Sequence, residues 1–170
     1  MPTGRIAGRG RPGHRGRAPR ARLHTDLAEA PDGHFGLVTL CGVLHHVHPS
    51  ERGAVIGRAL RKLRPVDGRL VVFEHNPLNP LTRRAVALCP FDDDAILLWP
   101  WQARRLFRGA GLRDIRLRYI VFLPRLLSGL RWVEPGLGVV PLGAQFMLVG
   151  RVAAPSVDSA VAQAGARSEA

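Results

Sequence analysis

The chain has few cysteines and no long uninterrupted apolar run. Cys41 and Cys89 lie far apart and form no C-x-x-C pair, so the sequence predicts neither a disulfide scaffold nor a thiolate zinc site. The uncharged stretch at residues 135–150 is interrupted by Pro and Gly and is shorter than the roughly 20 apolar residues of a membrane-spanning helix. No apolar run follows the arginines at the amino terminus, so we expect no secretory signal. The predicted location is cytoplasmic, without a membrane span.

Acidic residues are missing from the first 25 positions, and Lys62 is the only lysine of the chain. Arginines in this segment supply 7 of the 12 net positive charges. Because residues 1–22 contain almost no large apolar side chains, their composition predicts a disordered Arg/Gly/Pro-rich arm. The Ala- and Ser-rich residues 154–170 predict a disordered tail. The predicted folded domain is therefore residues 23–153.

The middle of the chain alternates between strand and helix patterns. The nearly continuous apolar run at residues 37–44 predicts a strand buried on both faces, as in a parallel sheet, and a second apolar run follows at residues 69–74. Between the two runs, a helix opening at Pro49 is indicated by apolar residues at helical spacing: Ile56, Ala59, Leu60 and Leu63. A strand, a helix and a strand with tight connections form a βαβ unit with parallel strands. The predicted fold class is α/β.

Two more helices and two more strands are predicted beyond the βαβ unit. One helix is indicated by apolar residues at helical spacing: Leu78, Leu81, Ala85 and Leu88. A second helix begins at Pro100 and ends at Gly111. Residues 115–119 alternate between apolar side chains and arginine, as in an edge strand, and residues 145–149 form a last strand. We expect these two strands to pair antiparallel at one side of the sheet.

Four motifs lie at the joints between these elements: Phe35–Val38, Val43–Val47, Leu63–Val72 and Trp101–Gly111. In this order they resemble motifs of the class I S-adenosylmethionine-dependent methyltransferases. The first two are similar to the Phe-Asp-Leu-Val entry and the Leu-His-His end of that family's fourth strand. The third resembles the Leu-Lys-Pro-Gly-Gly-x-Leu that leads into the fifth strand, and the fourth resembles the helix before the sixth. The resemblance implies a partial Rossmann-like methyltransferase sheet, made of the βαβ unit and the carboxyl-terminal antiparallel strand pair.

The chain also departs from the family pattern. Gly36 stands where Asp is common, and the family's first motif, an apolar strand followed by an acidic, Gly-rich turn, is missing. Only 34 residues precede Phe35. We therefore expect a truncated methyltransferase that lacks most of the cofactor-binding half. The strand at Leu37–Leu44 is then an unpaired apolar edge, which favours self-association.

Ligands of open α/β sheets bind at the carboxyl ends of the strands, so the residues just after the two parallel strands are candidate site residues. The resemblance implies S-adenosylmethionine as cofactor, with contacts from Asp26, Gly42 and Val43. His46 is the candidate proton acceptor, because imidazole titrates near neutral pH, and an imidazole bonded to backbone is the alternative for it. The candidate acceptor-binding residues are Glu74, His75, Asn76 and Trp101.

A metal site is not predicted from the three histidines after the first strand. His45, His46 and His48 include no pair at i, i+4, and no supporting carboxylate is evident beside them. For His45 and His48 a structural role is favoured. The acidic run Asp92–Asp94 lacks the spacing of a calcium loop and predicts a solvated segment or a helix cap.

Two alternative functions remain open at this stage. One is an inactive methyltransferase-like fragment that acts as a binding module. The other is nonspecific nucleic-acid binding by the Arg-rich arm, which is less favoured because the arm lacks interleaved aromatic residues. As a methyltransferase, the chain is expected to take a small-molecule acceptor, and the apolar segment at residues 119–140 favours an apolar one.

Overall fold

The computed structural model describes residues 23, 25–122, 129, 132 and 134–153. The predicted arm at residues 1–22 and the tail at 154–170 lie outside this part. The strands are β1 (Leu37–Cys41), β2 (Arg69–His75), β3 (Leu112–Ile120) and β4 (Gln145–Val152). The helices are α1 (Arg52–Lys62), α2 (Pro80–Ala87), α3 (Pro100–Gly109) and α4 (Glu134–Leu137). Short 3₁₀ turns occupy Leu27–Glu29, Leu44–His46 and Pro90–Asp92.

The strands form one mixed sheet in the order β1-β2-β4-β3. β1 and β2 pair in parallel, with α1 as the crossover, so the predicted βαβ unit is confirmed. β4 pairs antiparallel with both β2 and β3, which confirms the predicted strand pair at one side of the sheet. The turn into β2 depends on Gly68, because a Cβ there would lie 2.5 Å from the Arg64 carbonyl oxygen.

The core lies between one face of the sheet and the helices α1 and α3. Apolar side chains of β2 and β4 meet the apolar stripes of the two helices, and eight of them are 1% exposed or less: Leu70, Val72, Phe146, Leu148, Ile56, Ala59, Ala103 and Phe107. Full burial of a large apolar side chain contributes about 1.5–3 kcal/mol. This two-layer packing holds β2 in the middle of the sheet.

The first strand is not buried on both faces, so that prediction is wrong. β1 lies at the edge of the described sheet, and the side chain of Leu37 is 56% exposed. Thr39 and Cys41 are also exposed, whereas Val38 and Leu40 are half-buried against the core. The reason is that α1 and α3 pack on one face only. The predicted position of this strand at an edge of the sheet is confirmed among the described residues.

The helix α2 forms as predicted but buries a different face. Leu81 and Leu88 are 75% and 71% exposed, whereas Thr82 and Val86 are buried. The side chain of Asn79 accepts hydrogen bonds from the backbone N–H groups of residues 81 and 82, which starts the helix at Pro80. The Thr82 hydroxyl then donates to the Ala144 carbonyl at 3.1 Å, which turns this face towards the sheet.

The helix α3 begins at Pro100 as predicted, and Gly111, with φ of +79°, follows its end. Its stripe at Ala103 and Phe107 is fully buried. In the part of the chain that the structure describes, none of the helices has the length and apolar character needed to cross a membrane.

Candidate functional site

The site lies where the two parallel strands end. Cys41 of β1 is in register with Phe73 of β2, so the residues that follow the two strands emerge side by side. Gly42 adopts a φ of +63° and donates its N–H to the Phe73 carbonyl at 2.9 Å. This left-handed residue ends β1 and directs the chain into the 3₁₀ turn at Leu44–His46. The turn places His45 over the end of β2.

Glu74 connects the two strand ends through three hydrogen bonds. Its side chain is 1% exposed, and Oε1 accepts the N–H groups of Leu44 at 2.7 Å and Val43 at 3.2 Å. Oε2 accepts from Nδ1 of His45 at 2.6 Å. This hydrogen bond raises the pKa of His45, although burial opposes the shift. With Nδ1 bonded to Glu74, the other ring nitrogen, Nε2, points away from the strand.

The acidic run supplies the opposite side of the site. Asp92 has a side chain that is 13% exposed, and its Oδ1 lies 3.5 Å from Nε2 of both His45 and His46. The prediction of a solvated run is therefore wrong for Asp92, because the turn at Pro90–Asp92 folds it over the histidines. A hydrogen bond from Cys89 lowers the pKa of Asp92, and His75 and His45 lower it further. Asp94 is exposed and faces Nδ1 of His46 at 3.1 Å.

His75 completes the group, which we call the histidine–carboxylate cluster: Glu74, His45, His46, His75 and Asp92. The ring centroid of His45 lies 4.9 Å from that of His75 and 4.1 Å from that of His46. Burial lowers the pKa of His75. The sequence predicts Glu74, His46 and His75 at this site, favours a structural role for His45, and does not indicate Asp92 as a member.

Arg52 holds the backbone around the cluster, which the sequence did not indicate. It is the first residue of α1, and its side chain is 3% exposed. Its Nε donates to the carbonyls of Leu44 at 2.9 Å and Val47 at 3.0 Å, and a terminal guanidinium nitrogen donates to the carbonyl of Ile96. Since Ile96 also donates its N–H to the His45 carbonyl at 2.8 Å, the segment leading to α3 is tied to the 3₁₀ turn.

A cleft of about 380 Å³ opens beside the cluster. His75 and Asp92 line it together with largely apolar neighbours, Thr82, Ala85, Val86, Cys89, Val121, Ala144 and Gln145. A mostly apolar wall with a few polar groups at one side is typical of small-molecule sites, and the volume is within their range. The cleft can hold a small apolar molecule against His75 and Asp92.

Three of the four predicted acceptor-binding residues, Glu74, Asn76 and Trp101, do not line this cleft. Asn76 is fully buried, and its amide nitrogen donates to the carbonyls of Pro141 at 3.0 Å and Gly143 at 2.8 Å. Its amide oxygen accepts the N–H of Leu78 at 3.1 Å, so these contacts tie β2 to the loop before β4. Trp101 is 56% exposed on α3 and stacks on Trp99 with ring centroids 4.7 Å apart.

Asp26 lies apart from the cluster. Its carboxylate accepts the N–H of Ala28 at 2.8 Å and so caps the first 3₁₀ turn. It lines a separate surface cleft with Arg58, Arg61 and Lys62, at the carboxyl-terminal end of α1. That end lies beside the start of β1, because Leu63 bridges to Phe35. The cofactor-contact role of Asp26 stays a prediction, and its position separates it from Gly42 and Val43.

No protein-family model and no curated protein matches the sequence. Solved structures do resemble the fold. A SAM-dependent methyltransferase from Archaeoglobus fulgidus has a TM-score of 0.56 at 13% identity, covering 74% of this chain and 62% of that one. A SAM-dependent methyltransferase from Thermotoga maritima, described as a possible histamine N-methyltransferase, has a TM-score of 0.57 at 22% identity, covering 73% and 59%. An O-methyltransferase family protein from Burkholderia thailandensis has a TM-score of 0.52 at 19% identity, covering 76% and 33%.

The fold and the location of the cluster define an α/β protein whose histidine–carboxylate cluster lies at the carboxyl ends of its parallel strands. The particular fold is that of the class I SAM-dependent methyltransferases, over most of the chain. The chain spans about three fifths of the length of the first two structures and one third of the third.

Proposed function

We propose that this chain is part of a SAM-dependent methyltransferase that acts on a small-molecule acceptor. The observation that carries the proposal is the histidine–carboxylate cluster beside an apolar cleft, at the strand ends where this fold binds its ligands. We also propose that residues 23–153 form its folded domain, that it is cytoplasmic, and that its sheet is a truncated methyltransferase sheet, as expected from the sequence.

The described residues do not fit the cofactor by themselves. Val43 and Leu44 direct their N–H groups to Glu74, so neither is free to hold a cofactor oxygen. A Cβ at Gly42 would make an ordinary van der Waals contact with the His45 ring at 3.5 Å, so this ring lies directly beside the turn. Asp26 lies at the other end of α1. Bound S-adenosylmethionine would supply the methyl group, and we propose that this chain needs a further segment to hold it.

The residues of the cluster and the cleft serve to bind the methyl acceptor. Methyl transfer depends mainly on holding the acceptor atom in line with the methyl group, so a cleft that fixes an apolar body is a direct contribution. His75 and Asp92 lie at its wall and can orient a polar group of the acceptor. His46, 37% exposed and placed between Asp92 and Asp94, is retained as the candidate proton acceptor.

Calorimetric titration of the full chain with S-adenosylmethionine tests the cofactor half of this proposal, and we expect no resolvable heat. Micromolar binding would refute it. The acceptor half is tested by NMR titration with small aromatic alcohols, which we expect to shift the amide signals of Val86, Val121 and Ala144. A Val86→Trp variant, which fills the cleft, should abolish the shifts. An exposed control, Val139→Trp, should keep them. Shifts that survive in Val86→Trp would place the ligand elsewhere.

A second candidate function is a binding module that pairs with another chain along β1. It is favoured by the position of β1 at the edge of the described sheet, with Leu37, Thr39 and Cys41 exposed. Sedimentation velocity of the full chain tests it, because a monodisperse monomer would contradict pairing. Nucleic-acid binding depends on residues 1–22, which lie outside the described residues, and it stays a prediction.

A further inference from the structure

Three metal-ligating side chains converge at one side of the cluster. His45, His75 and Asp92 each offer one ligand atom, and these atoms all lie within 4.8 Å of one another. His45 lies in the 3₁₀ turn that follows β1, His75 is the last residue of the neighbouring β2, and the carboxylate comes from the 3₁₀ turn at Pro90–Asp92. Two imidazoles and one carboxylate are a donor set that proteins use for Zn²⁺ with an open position, and for Fe²⁺.

The contact between His45 and Glu74 fixes the orientation of one of these ligands. Nδ1 of His45 donates to the buried Glu74 carboxylate at 2.6 Å, so in the neutral imidazole, the form that binds a metal, Nε2 carries the lone pair. Metal-bound histidines almost always donate their other ring N–H to a carboxylate or carbonyl in this way, which fixes the ring and its tautomer. Glu74 is itself held by the N–H groups of Val43 and Leu44. Nε2 of His45 therefore has a fixed direction.

The fixed nitrogen points at a second ligand. Nε2 of His45 lies 3.5 Å from Oδ1 of Asp92. Two ligands of a tetrahedral zinc ion with bonds of about 2.0–2.1 Å stand roughly 3.4 Å apart, so this pair is already spaced to share one ion. His75, whose ring is 4.9 Å from that of His45, supplies the third donor after a small movement of a half-buried side chain.

The open coordination position of a bound ion would face the apolar cleft beside the cluster. His75 and Asp92 both line that cleft, so an ion bound between them would be open to a water molecule or to a ligand oxygen from this side. A purely structural cluster explains the Glu74–His45 contact equally well. A protonated His45 between Glu74 and Asp92 accounts for the approach of Asp92 as well, so what favours a metal ion is the third ligand atom, from His75, within 4.8 Å of the other two.

We propose that His45, His75 and Asp92 form a binding site for one divalent transition-metal ion of the zinc class, with Glu74 orienting His45. The inference does not rest on methyl transfer, because the ion binds in the absence of cofactor and acceptor. It extends the proposed function by giving the cleft a group that would coordinate an oxygen of the acceptor.

The experiment titrates the metal-stripped full chain with Zn²⁺ by calorimetry and with Co²⁺ by visible absorption. We expect one ion per chain and the ligand-field bands of four-coordinate Co²⁺. His75→Ala and Asp92→Asn should each weaken Zn²⁺ binding at least about tenfold and remove the Co²⁺ bands. Glu74→Gln should weaken it about 10- to 100-fold, as measured for other ligand-orienting carboxylates.

His48→Ala is the matched control, because His48 is exposed and its imidazole bonds to Ser50. Its affinity should equal that of the unmodified chain. The far-UV circular dichroism of each variant shows whether it is folded, and Asp92→Asn keeps the shape of the native side chain. Absence of Zn²⁺ binding by the unmodified chain would refute the site. Equal losses in His48→Ala and His75→Ala would also refute it, because they would show binding to histidines in general.

Discussion

Replacing Glu74 with alanine removes a buried carboxylate that accepts three hydrogen bonds. The side chain is 1% exposed, and its partners are the backbone N–H groups of Val43 and Leu44 and the ring of His45. Water cannot readily replace the lost oxygens, since Leu44 is fully buried and His45 is 3% exposed. The substitution therefore leaves at least one buried N–H group and one buried imidazole without their partner.

The expected cost follows from these groups. A buried donor left unsatisfied costs about 1–3 kcal/mol. Removing one partner of a buried charged pair costs about 3–5 kcal/mol, because the other is left uncompensated. The two costs are not added here, because both arise from the loss of the same carboxylate. We therefore expect Glu74→Ala to lower the free energy of unfolding by about 3–5 kcal/mol in total. Glu74→Gln keeps one acceptor oxygen and should cost less.

Urea unfolding followed by circular dichroism measures this difference. Asp67→Ala is the control, because Asp67 pairs with Arg64 at 2.8 Å while both side chains are more than half exposed. An exposed pair contributes about 0–1 kcal/mol, so the control should stay close to the unmodified chain. Equal unfolding midpoints for Glu74→Ala and Asp67→Ala would refute the structural role assigned to Glu74.

Three further experiments test other parts of the structure. Gly150→Ala would bring a Cβ within 2.8 Å of a buried aromatic ring carbon and should lower the free energy of unfolding by about 1–3 kcal/mol. The Cβ of Gly57→Ala in α1 would meet no described atom within 4 Å, so this change should raise the free energy of unfolding by about 1 kcal/mol. Urea unfolding measures both. A hydrogen bond from a lysine ammonium lowers the pKa of Asp32 below 3.8, so its contribution to stability is present above that pH and is lost as pH falls through the lowered value. The unmodified chain should therefore lose more stability than Asp32→Asn between about pH 5 and pH 2, and parallel curves would contradict the pair. Leu37→Lys on β1 should reduce self-association in sedimentation velocity while Leu81→Lys on α2 leaves it unchanged, and equal effects would argue against pairing at the strand edge.

The sequence predicted the elements whose signals are local. The βαβ unit follows from two apolar runs around a helical stripe, and α3 follows from Pro100 and Gly111, and the structure contains both. The buried face of α2 could not be predicted, because it depends on a hydrogen bond from Thr82 to Ala144, 62 residues further along the chain. The predicted burial of β1 was wrong because it assumed helices on both faces of the sheet.

In the site, too, only the residues with a local signal were predicted. Glu74, His46 and His75 were selected because they follow the two strands, and a strand end is recognisable in the sequence. Asp92 was missed because its approach to the histidines depends on a turn, and the neighbouring contact between His46 and Asp94 spans 48 residues. The acidic run carried no pattern that distinguishes a folded-over carboxylate from a solvated one.

Because β1 lies at the edge of the described sheet, its position bears on the order in which the two sides of the site open. β2 is hydrogen-bonded to strands on both sides, whereas β1 pairs with β2 alone among the described residues. In native-state hydrogen exchange, amides of an edge strand open at low free energy and those of a central strand open near the global one. His45 follows β1 and Glu74 belongs to β2, so their bond joins the segment that opens early to the segment that opens last. We therefore expect the cluster to open and re-form from the β1 side, with Glu74 staying in place while the contact of His45 breaks and returns.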